Sequence, residues 1–340
     1  MKKAVTIKDI AQDLNLSRNT VSKALNGQYV PQKTRELVLR KARELNYKSL
    51  SSGALNSRKY RILLLSGKPF HNMSFFLPIV KGIEDYCFDN NFDFFQYTCK
   101  YGANTFWNIA NHIQSLNIDG IVAIECFDPV FINNLLGLKK PICFIDFPGY
   151  KFDPVGQYDL VCAADQKIVC EYVKTLIAKY KIHRFAFVGD YRHCLSFHER
   201  YMGMLRGLSR SGFDHSQERD ILERDEDFDY GDVQALKAKI SALKRLPDCF
   251  VCCNDFVAHR VTLAIKELGH RIPQDTMILG FDGVDESLKA SPSISTFYVN
   301  KESLGIVAIQ SLINRIEYHG NPTRTIILDC DLIERESTKR

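Results

Sequence analysis

Apolar residues in the first 48 positions recur at the spacing of short helices. A first run, a polar turn near Asn15 and a second run predict two helices, and a third is expected over about 32–46. Thr6 and Ser17 stand where N-caps are needed, and Asn15 suits a left-handed helix end. The positions predicted to face inward are Ile7, Ile10, Ala11, Leu14, Val21, Leu25, Val38, Ala42 and Leu45.

From residue 60 onward the pattern changes to short apolar runs that alternate with amphipathic segments. Continuous apolar strands separated by helices indicate parallel sheets in α/β units, and there are too many units for one sheet. The predicted strands are Arg61–Leu65, Phe92–Tyr97, Gly120–Ile124, Pro141–Ile145, Arg184–Val188, Cys249–Cys252, Met277–Phe281 and Ile326–Ile333. The predicted helices include Phe76–Phe88, Thr105–Leu116, Ile168–Ala178, Arg200–Ser211, Asp232–Leu243 and Val257–Leu268.

These patterns predict a fold class with an all-α helix-turn-helix head and an α/β body of two Rossmann-like lobes. The head spans 1–48, a hinge 49–59 and the body 60–340. Within the body, lobe 1 takes about 60–163 plus 296–325, and lobe 2 about 164–295 plus 326–336. A ligand is expected between the lobes, where the carboxyl ends of the parallel strands meet.

The charge is unevenly distributed along the chain. The whole chain carries +5, yet residues 1–58 hold twelve Lys and Arg against four Asp and Glu. A basic head on a slightly acidic body favours a polyanionic partner for the head alone. A merely solubilising basic arm is the alternative, but such an arm would not show helical periodicity.

The second helix of the head would enter the DNA major groove by its N-terminal end. Arg18 can pair bidentately with guanine, and Asn19 with adenine. Ser17, Thr20 and Ser22 offer hydroxyls to phosphates or bases. An ordinary three-helix bundle with a polar face is the alternative on these residues alone.

The head closely resembles the LacI/GalR family of bacterial regulators. The resemblance is carried by Thr6-Ile-Lys-Asp-Ile-Ala11, Leu16-Ser17, Thr20-Val-Ser-Lys-Ala-Leu-Asn-Gly27, Thr34-Arg35, Val38 and Leu45-Asn-Tyr47. It implies that Arg18, Asn19 and Lys23 read bases, and that the DNA backbone is contacted by Thr6, Ser17, Thr20, Ser22 and Asn26. Pro31 departs from the pattern, since the family usually has a capping Ser there.

The hinge, 49–59, is small and polar, as a linker would be. The family resemblance implies a hinge helix that forms on DNA, with Leu55 wedged into the minor groove after Ala54. Unstacking a DNA base step costs a few kcal/mol, and the resulting bend lets the protein contact more of the DNA. Gly53 disfavours a helix by about 1 kcal/mol, so a plain flexible tether is the alternative.

Polar residues follow several predicted strands of the body, at the places where a ligand site is expected. Asp146, Asn254 and Asp282 each come directly after an apolar run, and Arg200 lies in a predicted helix. These acceptors and donors suit a polyhydroxylated ligand. Each residue taken singly is also explained as a cap or turn; Asn254 in particular fits the N-cap of the next helix.

The resemblance extends to the body through Arg200-x-x-Gly203, Asn254-Asp255 and Gly280-Phe-Asp-Gly283. It implies that Asp146, Arg200, Asn254 and Asp282 contact a small effector, usually a sugar or related metabolite. An aromatic floor is also implied, for which the candidates are Phe76 and either Phe228 or Tyr230. Trp107 is assigned equally to the core, an interface or a ligand platform.

The sequence offers no competing chemistry. Neither G-x-S-x-G, Walker A nor H-E-x-x-H occurs, so no catalytic residue, cofactor or metal is expected. The eleven scattered cysteines, including Cys249, Cys252 and Cys253, are interpreted as reduced, buried thiols. No apolar stretch approaches the ~18 residues of a membrane span, and the basic start lacks a signal peptide's apolar region, so a cytoplasmic protein is expected.

The sequence therefore predicts a homodimeric transcription regulator on a pseudo-palindromic operator. Repression is the favoured output, and a small molecule between the lobes, a sugar or sugar derivative, would modulate DNA affinity. The chain ends soon after its last apolar strand, which favours a dimer over a tetramer built through a heptad helix. The alternatives are a transporter's sugar-binding protein, disfavoured by the basic head, and an α/β enzyme acting on sugars.

Overall fold

The structure is a computed structural model of the chain. It describes residues 5–25, 30–45, 47, 59–67, 73–99, 105–148, 157–224, 226–318 and 320–340. Two compact units are present: residues 1–60 with 91–93, and the remainder of the chain.

The first unit contains three helices, α1 (Ile7–Asp13), α2 (Arg18–Leu25) and α3 (Gln32–Glu44). The Asp9 carboxylate accepts from the backbone N–H of Thr6 at 2.7 Å, which fixes the start of α1. The Ser17 hydroxyl accepts from the backbone N–H of Thr20 at 3.0 Å and so caps α2. Asn15 has φ of 52° between the two helices, which confirms the predicted left-handed turn.

A small apolar core holds these helices together. Its buried members are Ile10, Ala11, Val21, Ala24, Leu25, Val38 and Ala42. They come from all three helices at the spacings read from the sequence, so the predicted inward faces are confirmed. Lys41 of α3 also pairs with Asp13 at the end of α1, at 3.2 Å.

The body contains two sheets. The first has six strands in the order β10-β5-β4-β3-β1-β2, and the second has five in the order β11-β9-β8-β7-β6. The strands of the first sheet are β1 (Arg61–Ser66), β2 (Asp93–Thr98), β3 (Gly120–Ile124), β4 (Ile142–Ile145), β5 (Asp159–Ala163) and β10 (Arg324–Leu328). The strands of the second are β6 (Phe185–Val188), β7 (Cys249–Cys252), β8 (Met277–Asp282), β9 (Ser295–Tyr298) and β11 (Asp331–Ile333).

The described ladders of both sheets are parallel except that β11 runs antiparallel to β9. Strands β3, β4, β6 and β7 are buried along their whole length. Parallel strands covered on both faces need such continuous apolar runs, which is why the sequence located these four with small errors.

Helices cover the sheets. In the first lobe they are α4 (Met73–Asp89), α5 (Thr105–Ser115), α6 (Pro129–Gly137) and α12 (Lys301–Glu317). In the second they are α7 (Asp165–Tyr180), α8 (Leu195–Arg210), α9 (Val233–Ser241), α10 (Asp255–Glu267) and α11 (Asp285–Lys289). The helix pairs with the most extensive contacts are α7 with α8 and α4 with α12.

The chain passes between the two sheets three times, after β5, after β9 and after β10. The predicted lobe limits at 296 and 326 are therefore wrong by a few residues, because 295–298 belongs to the second sheet and 324–328 to the first. The predicted strand Ile326–Ile333 is in fact β10 and β11, separated at Asp329–Cys330. Asp329 and Asp331 interrupt the apolar residues here, but such an alternation also fits one half-buried strand and does not reveal that the chain changes sheets.

Candidate ligand cleft and nucleic-acid interface

A cavity of about 140 Å³ lies between the two sheets of the body. Its first side is formed by residues at the carboxyl ends of β3, β4 and β5, and its second by α8 and the ends of β7 and β8. The four predicted polar residues, Asp146, Arg200, Asn254 and Asp282, all line it. The structure thus brings these four residues together around one cavity.

Arg200 is the buried cation of this cavity, with only 3% of its surface exposed. Its Nη2 lies 3.1 Å from Asp282 Oδ1, and its Nε lies 3.5 Å from Asp165 Oδ2. Nη1 donates to the carbonyl of Cys253. The guanidinium stacks 3.7 Å from the ring centroid of Phe281, a cation–π contact that strengthens when desolvated. These contacts hold the guanidinium of Arg200 from several directions.

Asp146 follows β4 with φ of 60°, a left-handed conformation that aspartate tolerates. Its Oδ1 accepts from the backbone N–H of Phe147 at 2.7 Å and of Ser196 at 3.2 Å. Oδ2 accepts from the Ser196 hydroxyl at 2.7 Å. Because Ser196 lies in the first turn of α8, these hydrogen bonds link Asp146 of the first lobe to the second lobe. The positive N-terminal end of α8 also stabilises the Asp146 carboxylate.

Asp282 is the last residue of β8, and Asn254 lies two residues after β7. The Asn254 Oδ1 accepts from Val257 N at 2.9 Å, so the capping interpretation is confirmed, and the same residue lines the cavity. Asp282 has φ of 102°. A non-glycine residue in that region carries backbone strain, which clusters at ligand sites.

The predicted aromatic floor is wrong in both positions. Phe76 is 1% exposed within the core, whereas its neighbour Phe75 lines the cavity. Adjacent residues of a helix point in different directions, so α4 directs Phe76 into the core and Phe75 towards the cavity. Phe228 is half-buried outside the cavity, against the ring of Tyr230 at 4.9 Å. Trp107 is 67% exposed on α5, away from the core.

Several lining residues were not singled out from the sequence as ligand contacts. Glu125 directly follows β3 as Asp146 follows β4, so the same strand-end rule would have found it. Phe127 and Phe197 supply aromatic walls, joined through His193, whose ring lies 5.0 Å from that of Phe127. No sequence signal marks these walls, because they come from a loop and a helix start that meet only in the fold.

Burial dominates the electrostatics of the site. It raises the pKa of Asp165 to about 8, against the opposing effect of Arg200, and the nearby Asp146 and Asp282 raise it further. Burial likewise raises the pKa of Asp282 above its usual range, despite Arg200. For Arg200, burial lowers the pKa, but the carboxylates of Asp165 and Asp282 more than offset this effect. Asp165 and Asp282 thus share Arg200 as their cationic partner.

Among the described residues, no group of three His, Cys, Asp or Glu side chains is placed to hold a metal ion. All eleven cysteines are free thiols, and Cys249 and Cys252 are buried in β7, as predicted. Burial raises the pKa of most of them, for example Cys87 to about 12. Among the described helices none is both long and apolar enough to span a membrane.

The head presents an open groove beside α2. Its lining includes Thr6, Arg18, Asn19 and Ser22, and also Lys8, Val5, Ile7 and Tyr47. Arg18, Asn19 and Lys23 are exposed, as base readers must be. Ser17 and Thr20 share a hydrogen bond of 2.8 Å between their hydroxyls. Asn26, Ala54 and Leu55 lie outside the described residues.

Both the head and part of the body match known protein families. Residues 6–49 match the profile of the bacterial regulatory proteins of the lacI family, and residues 175–338 match a periplasmic binding protein-like domain. The ribose operon repressor of Haemophilus influenzae is 27% identical over 98% of both chains. The HTH-type transcriptional repressor PurR of Pasteurella multocida is also 27% identical over 98% of both.

Solved structures show the same fold. A complex of the transcriptional regulator CelR with cellobiose has a TM-score of 0.72 at 20% identity, covering 98% of this chain and 99% of that one. The lac repressor dimer bound to operator has a TM-score of 0.68 at 19% identity, covering 99% of each. With a matching head, a matching body and full-length repressor relatives, this chain belongs to the LacI family and is a DNA-binding transcription regulator.

Proposed function

We propose that this protein is an operator-specific repressor whose DNA affinity is controlled by a sugar or sugar derivative bound between its lobes. The observation that carries the proposal is the convergence of Asp146, Arg200, Asn254 and Asp282 on one cavity from separate parts of the chain. Related structures were solved with cellobiose and with ribose, the latter an Enterococcus faecium regulator of TM-score 0.66 at 20% identity, covering 82% of this chain and 98% of that one.

Each polar residue has a role that its geometry supports. The carboxylates of Asp146 and Asp282 accept hydrogen bonds from ligand hydroxyls. Asn254 uses its oxygen for the α10 cap, which leaves its amide nitrogen as a donor. Arg200 acts as a fixed anchor that orients Asp282. Phe75, Phe127 and Phe197 provide apolar surface for the ligand ring.

In the head, Arg18, Asn19 and Lys23 read bases in the major groove. Thr6, Ser17, Thr20, Ser22 and Asn26 contact the DNA backbone. Ala54 and Leu55 form the minor-groove wedge. The exposed groove beside α2 supports the first two assignments for the residues it contains. The basic excess of residues 1–58 supports attraction to phosphates.

The protein acts as a homodimer, with each head reading half of a pseudo-palindrome. The relative bound to operator is described as a dimer. Ligand binding changes the arrangement of the lobes, and the effect on DNA needs unequal affinity for two body states, typically worth ~1–3 kcal/mol. We propose binding without turnover, in the cytoplasm, where the eleven free thiols stay reduced.

The experiment is a selection from a random-core palindromic DNA pool at fixed salt, followed by anisotropy titration with and without a panel of sugars. We expect a pseudo-palindrome to be enriched and one sugar to change its affinity at least several-fold. Enrichment of no sequence would contradict the operator assignment. An enriched operator that responds to no sugar would contradict the effector assignment alone.

A further inference from the structure

Lys301 is a buried lysine at the first position of α12, where neither burial nor a positive charge is favourable. Its exposed fraction is 5%, although lysine is almost never fully buried without a partner. It also places a cation at the positive end of the helix, which disfavours cations. Departures from local rules of this kind concentrate at functional sites.

The ammonium group of Lys301 is directed at two backbone carbonyls. Its Nζ donates to the carbonyl of Asp282 at 2.6 Å and to that of Val299 at 3.0 Å. The Tyr298 ring centroid lies 4.7 Å from the same nitrogen. α12 packs against the first sheet, whereas Asp282 ends β8 of the second. The hydrogen bond from Lys301 to Asp282 therefore crosses from one lobe to the other.

The backbone of Asp282 leaves the regular strand conformation at the point where Lys301 binds it. Its φ is 102°, which is strained for a residue with a side chain. The backbone nitrogen of Val299 lies 3.4 Å from the Asp282 carbonyl oxygen, longer than a usual ladder hydrogen bond. Lys301 supplies the short hydrogen bond to this oxygen. A buried carbonyl that lacks such a partner is unfavourable.

The carboxylate of Asp282 belongs to the cavity, where its Oδ1 lies 3.1 Å from Arg200 Nη2. Arg200 thus holds the side chain of Asp282, and Lys301 holds its main chain. Val299 and Leu304, on either side of Lys301 in the sequence, also line the cavity, whereas Lys301 lies outside the described lining. Lys301 is therefore placed to act on a ligand through Asp282 and not by direct contact.

Carboxylates of the second lobe favour the charged form of Lys301. Burial lowers its pKa, against the opposing effect of Asp282 and Asp255. Asp255 begins α10, and its Oδ2 accepts from the backbone N–H of Val284 at 2.9 Å. The segment that follows β8 is thus held at residue 282 by Lys301 and at residue 284 by Asp255.

α12 is a firm support for the Lys301 side chain because it packs closely along α4. A Cβ at Gly305 of α12 would clash with the carbonyl oxygen of Ile79. At Gly82 of α4, a Cβ would lie 2.5 Å from the carbonyl oxygen of Glu302. Helices packed this closely shift little, so the first lobe sets the position of Lys301.

We propose that Lys301 is a positioning residue for effector recognition, which holds the backbone of Asp282 so that its carboxylate is presented to the ligand. The proposal rests on the proposed function and adds to it a residue outside the cavity. Loss of the Lys301 donor should release the strained end of β8 without removing any group that lines the cavity.

The test compares variants of Lys301 in the full chain. Lys301→Met has a similar length and no donor, and Lys301→Gln is uncharged with a shorter donor. Lys266→Met is the matched control. Lys266 also donates to a backbone carbonyl, that of Ser291 at 3.1 Å, but it is exposed and lies outside the described cavity lining.

The first measurement is backbone hydrogen–deuterium exchange without ligand. In Lys301→Met, the amides of Gly283, Val284 and Val299 should exchange about tenfold faster than in the wild type, because the backbone around Asp282 is released. Lys301→Gln should have a smaller effect, and Lys266→Met none. The amides of β3 should exchange equally in all four proteins.

Three results of this measurement would overturn the proposal. One is unchanged exchange at 283, 284 and 299 in both Lys301 variants. Another is faster exchange throughout the body, which would show general destabilisation. The third is failure of both Lys301 variants to fold, which would make the lysine a structural residue only.

The second measurement is calorimetric titration with ribose and with cellobiose, well below the melting temperature of each variant, so that stability alone does not alter the result. The dissociation constant of the sugar that binds the wild type should rise about tenfold in Lys301→Met, less in Lys301→Gln, and not in Lys266→Met. An unchanged value in Lys301→Met overturns the proposal. If neither sugar binds the wild type but exchange at 283, 284 and 299 responds as expected, the positioning of Asp282 is supported and the sugar effector of the proposed function is contradicted.

Discussion

Arg200 shows how one residue serves both the fold and the site. The sequence indicated a ligand donor, and the structure places the residue in the cavity lining. It also shows Arg200 with 3% exposure between Asp165 and Asp282, which no local pattern predicts because the three positions are distant in sequence. Burial of an ion pair stabilises little, but removal of one partner leaves an uncompensated charge.

We therefore expect Arg200→Ala to destabilise the body by roughly 3–5 kcal/mol, since the buried carboxylate of Asp282 loses its cation. This differs from the expectation for a pure ligand contact, which would keep its stability and lose only the effector response. Urea unfolding followed by circular dichroism measures the change. Arg206→Ala, on the exposed side of the same helix, is the control and should cost little. Equal stability of both variants would contradict the structural role.

The buried carboxyl group of Asp165 makes the stability of the fold depend on pH. Burial raises its pKa to about 8 in the folded state, whereas an unfolded aspartate ionises near ~3.9. The folded form thus holds a proton that the unfolded form loses, so this group's stabilisation is greatest below ~4 and declines until the pH passes about 8. Arg200, Asp146, Asp282 and Glu199 are the charged groups that act on it.

Asp165→Asn should remove that decline, because the amide resembles the protonated acid. Relative to the variant, the wild type should lose stability by about 1 kcal/mol per pH unit between pH 5 and pH 8. Urea unfolding of both proteins at pH 5, 6.5 and 8 gives the comparison. A stability difference that stays constant across this range would contradict the assignment.

At the scale of elements, burial decides what the sequence reveals. The strands β3 and β7 were predicted to the residue because both are apolar throughout and flanked by polar positions. β9 was missed, since Ser295 and Thr296 are buried yet polar, and Ser295 is satisfied by hydroxyls of Ser337 and Thr338 at 2.8 Å and 2.6 Å. Such partners come from the far end of the chain and have no local signal.

The packing of α7 against α8 depends on glycines of α8, among them Gly203 and Gly207. A Cβ at Gly203 would lie 2.7 Å from the carbonyl oxygen of Gln166 and 2.9 Å from Val169 Cβ. Gly203→Ala should therefore push the helices apart and destabilise the body by ~1–3 kcal/mol. Thermal unfolding tests this against Gly137→Ala, where nothing lies within 4 Å and a small stabilisation is expected. An unchanged melting temperature for Gly203→Ala would show that the helices can adjust.

The proposed base-reading role of α2 leads to a prediction about DNA sequence specificity. Arg18 is exposed at its first position, so loss of a bidentate base contact should cost ~1–3 kcal/mol at one base pair and relax selection there. Arg18→Ala is assayed by anisotropy on the selected operator and its single-base variants. Lys33→Ala, an exposed α3 cation outside the described groove lining, is the comparison. Uniform weakening on all sequences would make Arg18 a phosphate contact.

At the scale of the whole molecule, the sequence predicted the two-lobe architecture because strands and helices alternate throughout the body. It placed two of the three crossings inaccurately. At Asp329–Cys330 the apolar and polar residues alternate, a pattern that also fits a single half-buried strand, so the change of sheet has no local signal. The lobes are also joined by Asp146 with Ser196 and by the backbone N–H of Leu195 with the carbonyl of Phe147 at 2.9 Å. A ligand that engages Asp146 therefore acts on a contact between lobes.

The most direct test of the account is operator affinity measured by anisotropy for the wild type and Asp146→Asn, with and without the sugar of largest response. Without sugar, both proteins should bind the selected operator equally, because the variant keeps the head and the backbone hydrogen bonds of residue 146. Saturating sugar should change wild-type affinity by ~5–150-fold and leave Asp146→Asn nearly unaffected at the same concentration. An equal response in both proteins would contradict control of DNA binding through this cleft.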